Sequence, residues 1–256
     1  MKELRTALVT GASAGLGAAF ARQLAARGMQ VILVARRPDR LEALAHELRG
    51  TEALVADLTN PADLERAAAR AATVDLLVNN AGFGTRGFFW EADLAGQEAM
   101  CRLHVIAAMR LCHAALGGMT ARGRGGIINV SSVAGFGETP GNVSYCSTKA
   151  WMNAFTEGLW MELKSRNSPV RVQALCPGFV LTEFHDVMGV DRGRIPESWW
   201  MKADYVVAES LKGLDRNKLF VIPSAFYRAV VLLQKLTPRR LFQAGAIRYS
   251  RRAGRI

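Results

Sequence analysis

Short apolar runs alternate with longer stretches of helical periodicity through most of this chain, and that alternation restricts it to few folds. Thr6–Thr10, Gln30–Ala35, Ala53–Asp57, Val74–Val78, Gly126–Val130 and Val170–Leu175 read as strands, with Lys218–Ile222 as the last. The intervening predicted helices are Ala18–Arg27, Pro38–Arg49, Ala62–Ala72, a stretch from Leu94 to Met119 that is one helix or a broken pair, and one that ends near Lys164. Gln30-Val-Ile-Leu-Val-Ala35 is apolar without alternation, as a strand covered on both faces should be. Strands separated by helices of about 10–15 residues form βαβ units on a parallel sheet, whose ligands gather at the carboxyl ends of the strands. An α/β fold follows.

The polar and glycine-rich clusters fall at those ends. The first strand runs into Gly11-Ala-Ser13-Ala-Gly15-Leu16-Gly17 and then a helix. Glycines allow a tight turn and close backbone approach, and a helix N-terminus offers free N–H groups to a pyrophosphate. The second strand delivers Arg36 and Arg37, with no acidic residue at Val34, Ala35 or Arg36. An acid at this point favours a free ribose 2′-hydroxyl and an arginine suits a 2′-phosphate, so NADP(H) is preferred over NAD(H); the arginines could instead only open a solvated helix. Asp57 could hold the adenine amino group or cap its turn, and the fourth strand delivers Asn79-Asn80-Ala81-Gly82.

Ser132 follows the fifth strand, with Tyr145 and Lys149 on the helix after it. A pair spaced i, i+4 shares a helix face. The lysine ammonium would favour the phenolate and lower the tyrosine pKa from about 10, making Tyr145 a candidate general acid/base. As a surface pair the two would carry no chemistry.

The 256 residues suit one large domain, and half are hydrophobic. No uninterrupted apolar run reaches the roughly 18 residues of a membrane span. The N-terminus carries no secretory segment, so a cytoplasmic location is expected. Cys101, Cys112, Cys146 and Cys176 lack metal-ligand spacing and read as reduced thiols, with no metal expected. The net charge is +11, but ten of the 33 Lys and Arg lie in Arg216–Ile256 with none of the 22 Asp and Glu. The body is therefore almost neutral and the tail basic. A nucleic-acid reading would rest on that tail alone, without a recognition motif.

Taken in order, Thr10-Gly11-x-x-x-Gly15-x-Gly17, Asp57, Asn79-Asn80-Ala81-Gly82, Ser132, Tyr145-x-x-x-Lys149 and Pro177-Gly178 resemble the short-chain dehydrogenases/reductases over about Arg5 to Thr182. The resemblance implies a Rossmann-like, doubly wound parallel sheet of about seven strands with helices on both faces, and an NADP(H)-dependent oxidoreductase that interconverts a carbonyl and a secondary alcohol. It implies that Tyr145 passes the proton, Lys149 lowers its pKa and binds the nicotinamide ribose, and Ser132 holds the substrate oxygen. It also implies a cofactor site from Gly11, Ser13, Gly15, Leu16, Gly17, Arg36, Arg37, Asp57, Leu58, Asn80, Ala81, Gly82, Tyr145, Lys149, Pro177, Gly178, Val180 and Thr182. Many members carry a basic residue where this chain has Ala14. Where many place an asparagine that completes a proton relay through water, this chain has Leu103-His104-Val105. His104 could hold that water or be satisfied by the backbone.

The domain is expected to span residues 1–222, with a substrate lid at about 183–203. Phe179, Phe184, Met188, Trp199, Trp200 and Met201 make that region apolar. They would enclose a hydrophobic carbonyl or alcohol, such as an acyl chain, a terpenoid or a steroid-like ring, or pack in a subunit interface. A homo-oligomer, dimer or tetramer, is expected. Residues 223–256 form a basic, partly apolar extension that would lie on an anionic membrane surface, or pack on the domain or another subunit. A fold that senses NADP(H) without catalysis is the alternative reading, although such proteins usually lack the Tyr or Lys present here.

Overall fold

The computed structural model describes residues 4–184, 188 and 192–252. Seven parallel strands form one sheet in the order β3-β2-β1-β4-β5-β6-β7, with β1 Thr6–Thr10, β2 Gln30–Ala35, β3 Thr51–Val55, β4 Leu76–Asn79, β5 Gly126–Val130, β6 Arg171–Leu175 and β7 Phe220–Val221. β1 pairs with β2 and β4, Leu8 standing opposite both Ile32 and Leu77. The winding reverses between β1 and β4, which leaves a crevice above their carboxyl ends.

Both faces are covered, as the apolar strands require. One core packs Val9, Leu33 and Ile128 against Phe20 and Leu24 of α1 (Gly15–Ala26), Leu41 of α2 (Pro38–Glu47) and Val207 and Leu211 of a later helix, 203–215. The other packs Leu8, Leu77 and Ile127 against Leu64 of α3 (Pro61–Ala71), Leu111, Ala115 and Met119.

Strand and helix ends differ from the sequence reading for local reasons. α1 opens at Gly15, not Ala18, so Gly15 and Gly17 belong to its first turn. β3 stops at Val55; Asp57 instead accepts hydrogen bonds from the Thr59 backbone N–H and hydroxyl at 2.9 and 2.7 Å, which turns the chain out of the sheet. β4 begins at Leu76, two residues late. The last strand shrinks to two residues. Lys218 N–H is still engaged by the Gly213 carbonyl of the preceding helix, and Pro223 has no N–H to extend the ladder.

The Leu94–Met119 stretch is a broken pair: α4 (Leu94–Cys101) and α5 (Ala108–Arg122) joined by a π-helical turn, Arg102–Ala107. Leu94–Arg122 is long and apolar enough to cross a membrane by length and composition. Its Leu111, Cys112, Ala115 and Met119 are fully buried in the second core, so one face of it packs on the sheet.

α6 (Val143–Ser165) carries Tyr145 and Lys149, and α7 (Ala203–Asp215) leads into β7. The C-terminal segment folds as α8 (Ala225–Leu236) and α9 (Arg239–Arg252). They pack back on the domain: Tyr227, Val231 and Ala246 are buried, and Ser250 Oγ donates to the Pro140 carbonyl at 3.3 Å.

Candidate active site

One continuous cavity of about 1390 Å³ opens at the crevice and runs from the glycine turn to α9. Every predicted cofactor or catalytic residue lines it except Gly17 and His104.

Gly17 acts from behind the wall. A Cβ there would enter the Gly11 carbonyl and come within 2.7 Å of Asn80 Nδ2, so only glycine lets α1 begin against the turn. Gly11 and Gly15 take left-handed backbone, φ +66° and +56°, which strains any other L-residue. Thr10 ties this turn to β4. Its hydroxyl accepts from Asn80 N and Ala81 N, both at 2.9 Å, while Asn80 Nδ2 donates to the Thr10 carbonyl at 2.9 Å. At the far rim Arg37 donates to Ser13 Oγ at 3.1 Å, and Arg36 lies 3.8 Å from Asp57. Arg40 and Arg37 both grip Glu183 and hold its carboxyl below the usual range.

Ser132, Tyr145 and Lys149 gather beyond the end of β5. Ser132 Oγ donates to the Pro177 carbonyl at 3.4 Å and accepts from Ala134 N–H at 3.1 Å, and it lines the same cavity as Tyr145. Lys149 is buried, donates from Nζ to the Val130 carbonyl at 2.8 Å and stands 5.7 Å from the centre of the Tyr145 ring. The expected lowering of the phenol by this ammonium is not the net result. Burial outweighs the lowering influence of the Ser132 hydroxyl and pushes Tyr145 up to about 12, and burial also brings Lys149 down to about 8. Both groups lie where a charge loses hydration, which disfavours phenolate and ammonium alike.

His104 hangs inward from the π-helical turn and is fully buried. Its Nε2 accepts from Phe83 N–H at 3.2 Å and its Nδ1 lies 2.9 Å from Thr148 Oγ1. Thr148 donates its hydroxyl hydrogen to the Tyr145 carbonyl at 2.9 Å, so Nδ1 carries the ring proton and Thr148 accepts it. Burial, then the Lys149 charge, keeps the ring neutral. Both nitrogens thus have protein partners, Phe83 N–H and the Thr148 hydroxyl. His104 clamps the Gly82-Phe83 turn to the Tyr145 helix. The imidazole also needs Gly82, where a Cβ would stand 2.6 Å from Nε2. His104→Ala should lower kcat less than tenfold but cost about 2–5 kcal/mol of stability, through the cavity and the unpaired Phe83 N–H. Parallel thermal melts and steady-state rates check this.

The other half of the cavity is apolar. Phe179, Phe184, Met188 and Trp199 line it, as the sequence suggested for the lid, whose residues 185–187 and 189–191 lie outside the described residues. Trp200 and Met201 do not line it: Trp200 packs on Phe179, and Met201 is buried in the first core. Phe226, Tyr227, Val230, Gln234, Phe242 and Tyr249 complete the wall from α8 and α9, so the pocket is not confined to the segment before β7. Tyr227 is the anchor. Its hydroxyl donates to the Trp199 carbonyl at 2.7 Å and accepts from Phe179 N–H at 3.1 Å, and its ring occupies the place a Gly178 side chain would need. The apolar character of the 223–256 extension is plain in the sequence, but not which surface it meets.

The sequence profile of the short chain dehydrogenase family matches residues 5–192. The chain belongs to the short-chain dehydrogenase family. An uncharacterized oxidoreductase from Myxococcus xanthus is 34% identical, with 95% of this chain and 97% of that one aligned. The short-chain dehydrogenase from Sphingobium yanoikuyae, solved in complex with NADPH, is 37% identical with a TM-score of 0.82, covering 91% of this chain and 94% of its own. A bulky-bulky ketone specific alcohol dehydrogenase from Comamonas testosteroni is 31% identical with a TM-score of 0.77, covering 92% and 96%. This short-chain dehydrogenase is thus an oxidoreductase with a nucleotide-binding fold. Its residues fit a nicotinamide dinucleotide: glycines without room for a side chain stand at the helix N-terminus, with polar and cationic groups beyond the ends of β2 and β3.

Proposed function

We propose that the protein is an NADP(H)-dependent reductase of hydrophobic ketones, interconverting carbonyl and secondary alcohol. The observation that carries this reading is a single cavity joining the glycine turn to the Ser132–Tyr145–Lys149 cluster and on to an aromatic wall. When bound, the cofactor supplies or accepts the hydride. Ser132 holds the substrate oxygen beside Tyr145, which gives that oxygen its proton in reduction. A phenol near 12 is fully protonated at neutral pH, so it is charged with the proton it must donate. Lys149, held by Val130, stands behind the phenol, where a positive charge favours the phenolate left after donation. Gly11, Ser13, Gly15, Leu16 and Gly17 would receive the pyrophosphate, Asp57, Leu58 and the Asn80–Gly82 wall the adenosine and ribose groups, and Pro177, Gly178, Val180 and Thr182 the nicotinamide end.

Arg36 and Arg37 line the cavity after β2, where none of Val34, Ala35 and Arg36 is acidic, and they support NADP(H) over NAD(H); a 2′-phosphate would compete with Asp57 and Glu183 for their guanidinium groups. Hydrogen bonds to a charged group contribute about 1.5–3 kcal/mol, so NADPH should bind roughly ten- to a hundredfold more tightly than NADH, read by titration. The test of substrate class is NADPH oxidation over a panel of ketones. Each buried methylene contributes about 0.8 kcal/mol, so long-chain or ring ketones should exceed small polar ones in kcat/KM by more than about tenfold. Equal turnover of the two groups would remove the hydrophobic-substrate reading.

A further inference from the structure

The two C-terminal helices carry more apolar surface than the pocket beneath them uses. On α8, Phe226, Val230 and Leu233 recur at i, i+4 and i+7, one helix face, and all are exposed. Leu232 and Leu236 widen that face, at 58% and 73% exposure, and Leu241 at the start of α9 is 65% exposed. Phe226 and Val230 also form cavity wall, so the apolar stripe runs from the pocket to the outer surface. Large contiguous apolar surface of this kind marks an interaction site. Around it stand the exposed Arg228, Lys235, Arg239, Arg240, Arg248 and Arg251, and Arg216–Ile256 contains no acidic residue.

Charge selects the occupant. A second copy seated by two-fold symmetry would bring this cationic segment against itself, with no carboxylate in it to neutralise either side. An anionic lipid surface satisfies both features, taking leucines into the headgroup–acyl boundary and arginines against the headgroups. We propose that α8 and α9 dock this protein on an anionic bilayer through Leu232, Leu233, Leu236 and Leu241, which sets the cavity wall at Phe226 and Val230 beside the lipid. A hydrophobic ketone dissolved in the bilayer then has a short apolar route to Tyr145. That route rests on the proposed function; the docking does not.

The experiment is flotation of the full chain with vesicles of phosphatidylglycerol and phosphatidylcholine, against phosphatidylcholine alone, without substrate or cofactor. Flotation is expected with the anionic vesicles only, weakening as salt rises. It should fall at least about tenfold in Leu233→Glu/Leu236→Glu and in Arg239→Glu/Arg240→Glu, since these exposed side chains supply the apolar and ionic contacts. Thermal melts of both variants should match the wild type, which separates lost docking from lost folding. Absence of flotation, equal flotation on neutral vesicles, or variants that float like the wild type would each overturn the proposal. So would sedimentation showing a dimer that Leu233→Glu/Leu236→Glu converts to monomer without vesicle binding, which would make the face a contact between copies. Because the readout is vesicle binding, an inactive preparation would count against the catalytic reading alone.

Discussion

Tyr145→Phe is expected to lower the rate of ketone reduction by about 10²–10⁴-fold, the usual contribution of a positioned general acid. The substitution removes one oxygen from a ring held between His104 and Phe184, at centroid distances of 6.0 and 5.9 Å, and both ring contacts survive in phenylalanine. Folding should therefore be unaffected, and NADPH affinity should stay within about threefold, because a single neutral hydrogen bond is worth only about 0.5–1.5 kcal/mol. Single-turnover rates with saturating cofactor, beside a fluorescence titration, separate the two effects. The wild-type pH profile carries a related expectation. With the phenol pushed to about 12 and Lys149 brought to about 8, reduction should be level below about pH 8 and decline above it, as Lys149 loses its proton while Tyr145 keeps its own. A profile still flat to pH 10 would remove Lys149 from the chemistry.

Gly17→Ala should abolish cofactor binding at millimolar concentration and lower the melting temperature. The added methyl group meets backbone, the Gly11 carbonyl, and not the movable end of a side chain. Relief requires α1 to withdraw from the turn, which would pull Gly11 from Ala81 and break the contact between Asn80 Nδ2 and the Gly11 carbonyl at 3.4 Å. Overpacking of this kind costs about 1–3 kcal/mol, and here it also disorders the N–H groups that would receive the phosphates. Gly28→Ala is the useful contrast. Nothing lies within 4 Å of its Cβ position, so its cost is only the strain of a positive φ, and cofactor affinity should be unchanged. Calorimetry on the two variants reads both stability and NADPH binding.

What the sequence by itself determined is the chemistry held in short stretches of chain. Strand periodicity, the glycine turn and the order of Ser132, Tyr145 and Lys149 are local properties, and they sufficed for the parallel α/β sheet and for the group of residues the cavity brings together. Everything that depended on one segment meeting another was decided by tertiary structure. The sign of the Tyr145 shift depends on how deeply its hydroxyl is packed, which an i, i+4 spacing does not carry. The sequence around His104 is silent about Phe83, 21 positions away, and Thr148, 44 positions away, which engage its two nitrogens. The tail is the largest case: its apolar stripe was legible, but only the fold set Phe226, Tyr227 and Val230 against the pocket and left Leu233 and Leu236 facing outward. Periodicity specifies that a helix has an apolar face, whereas what covers that face is set by residues distant in sequence.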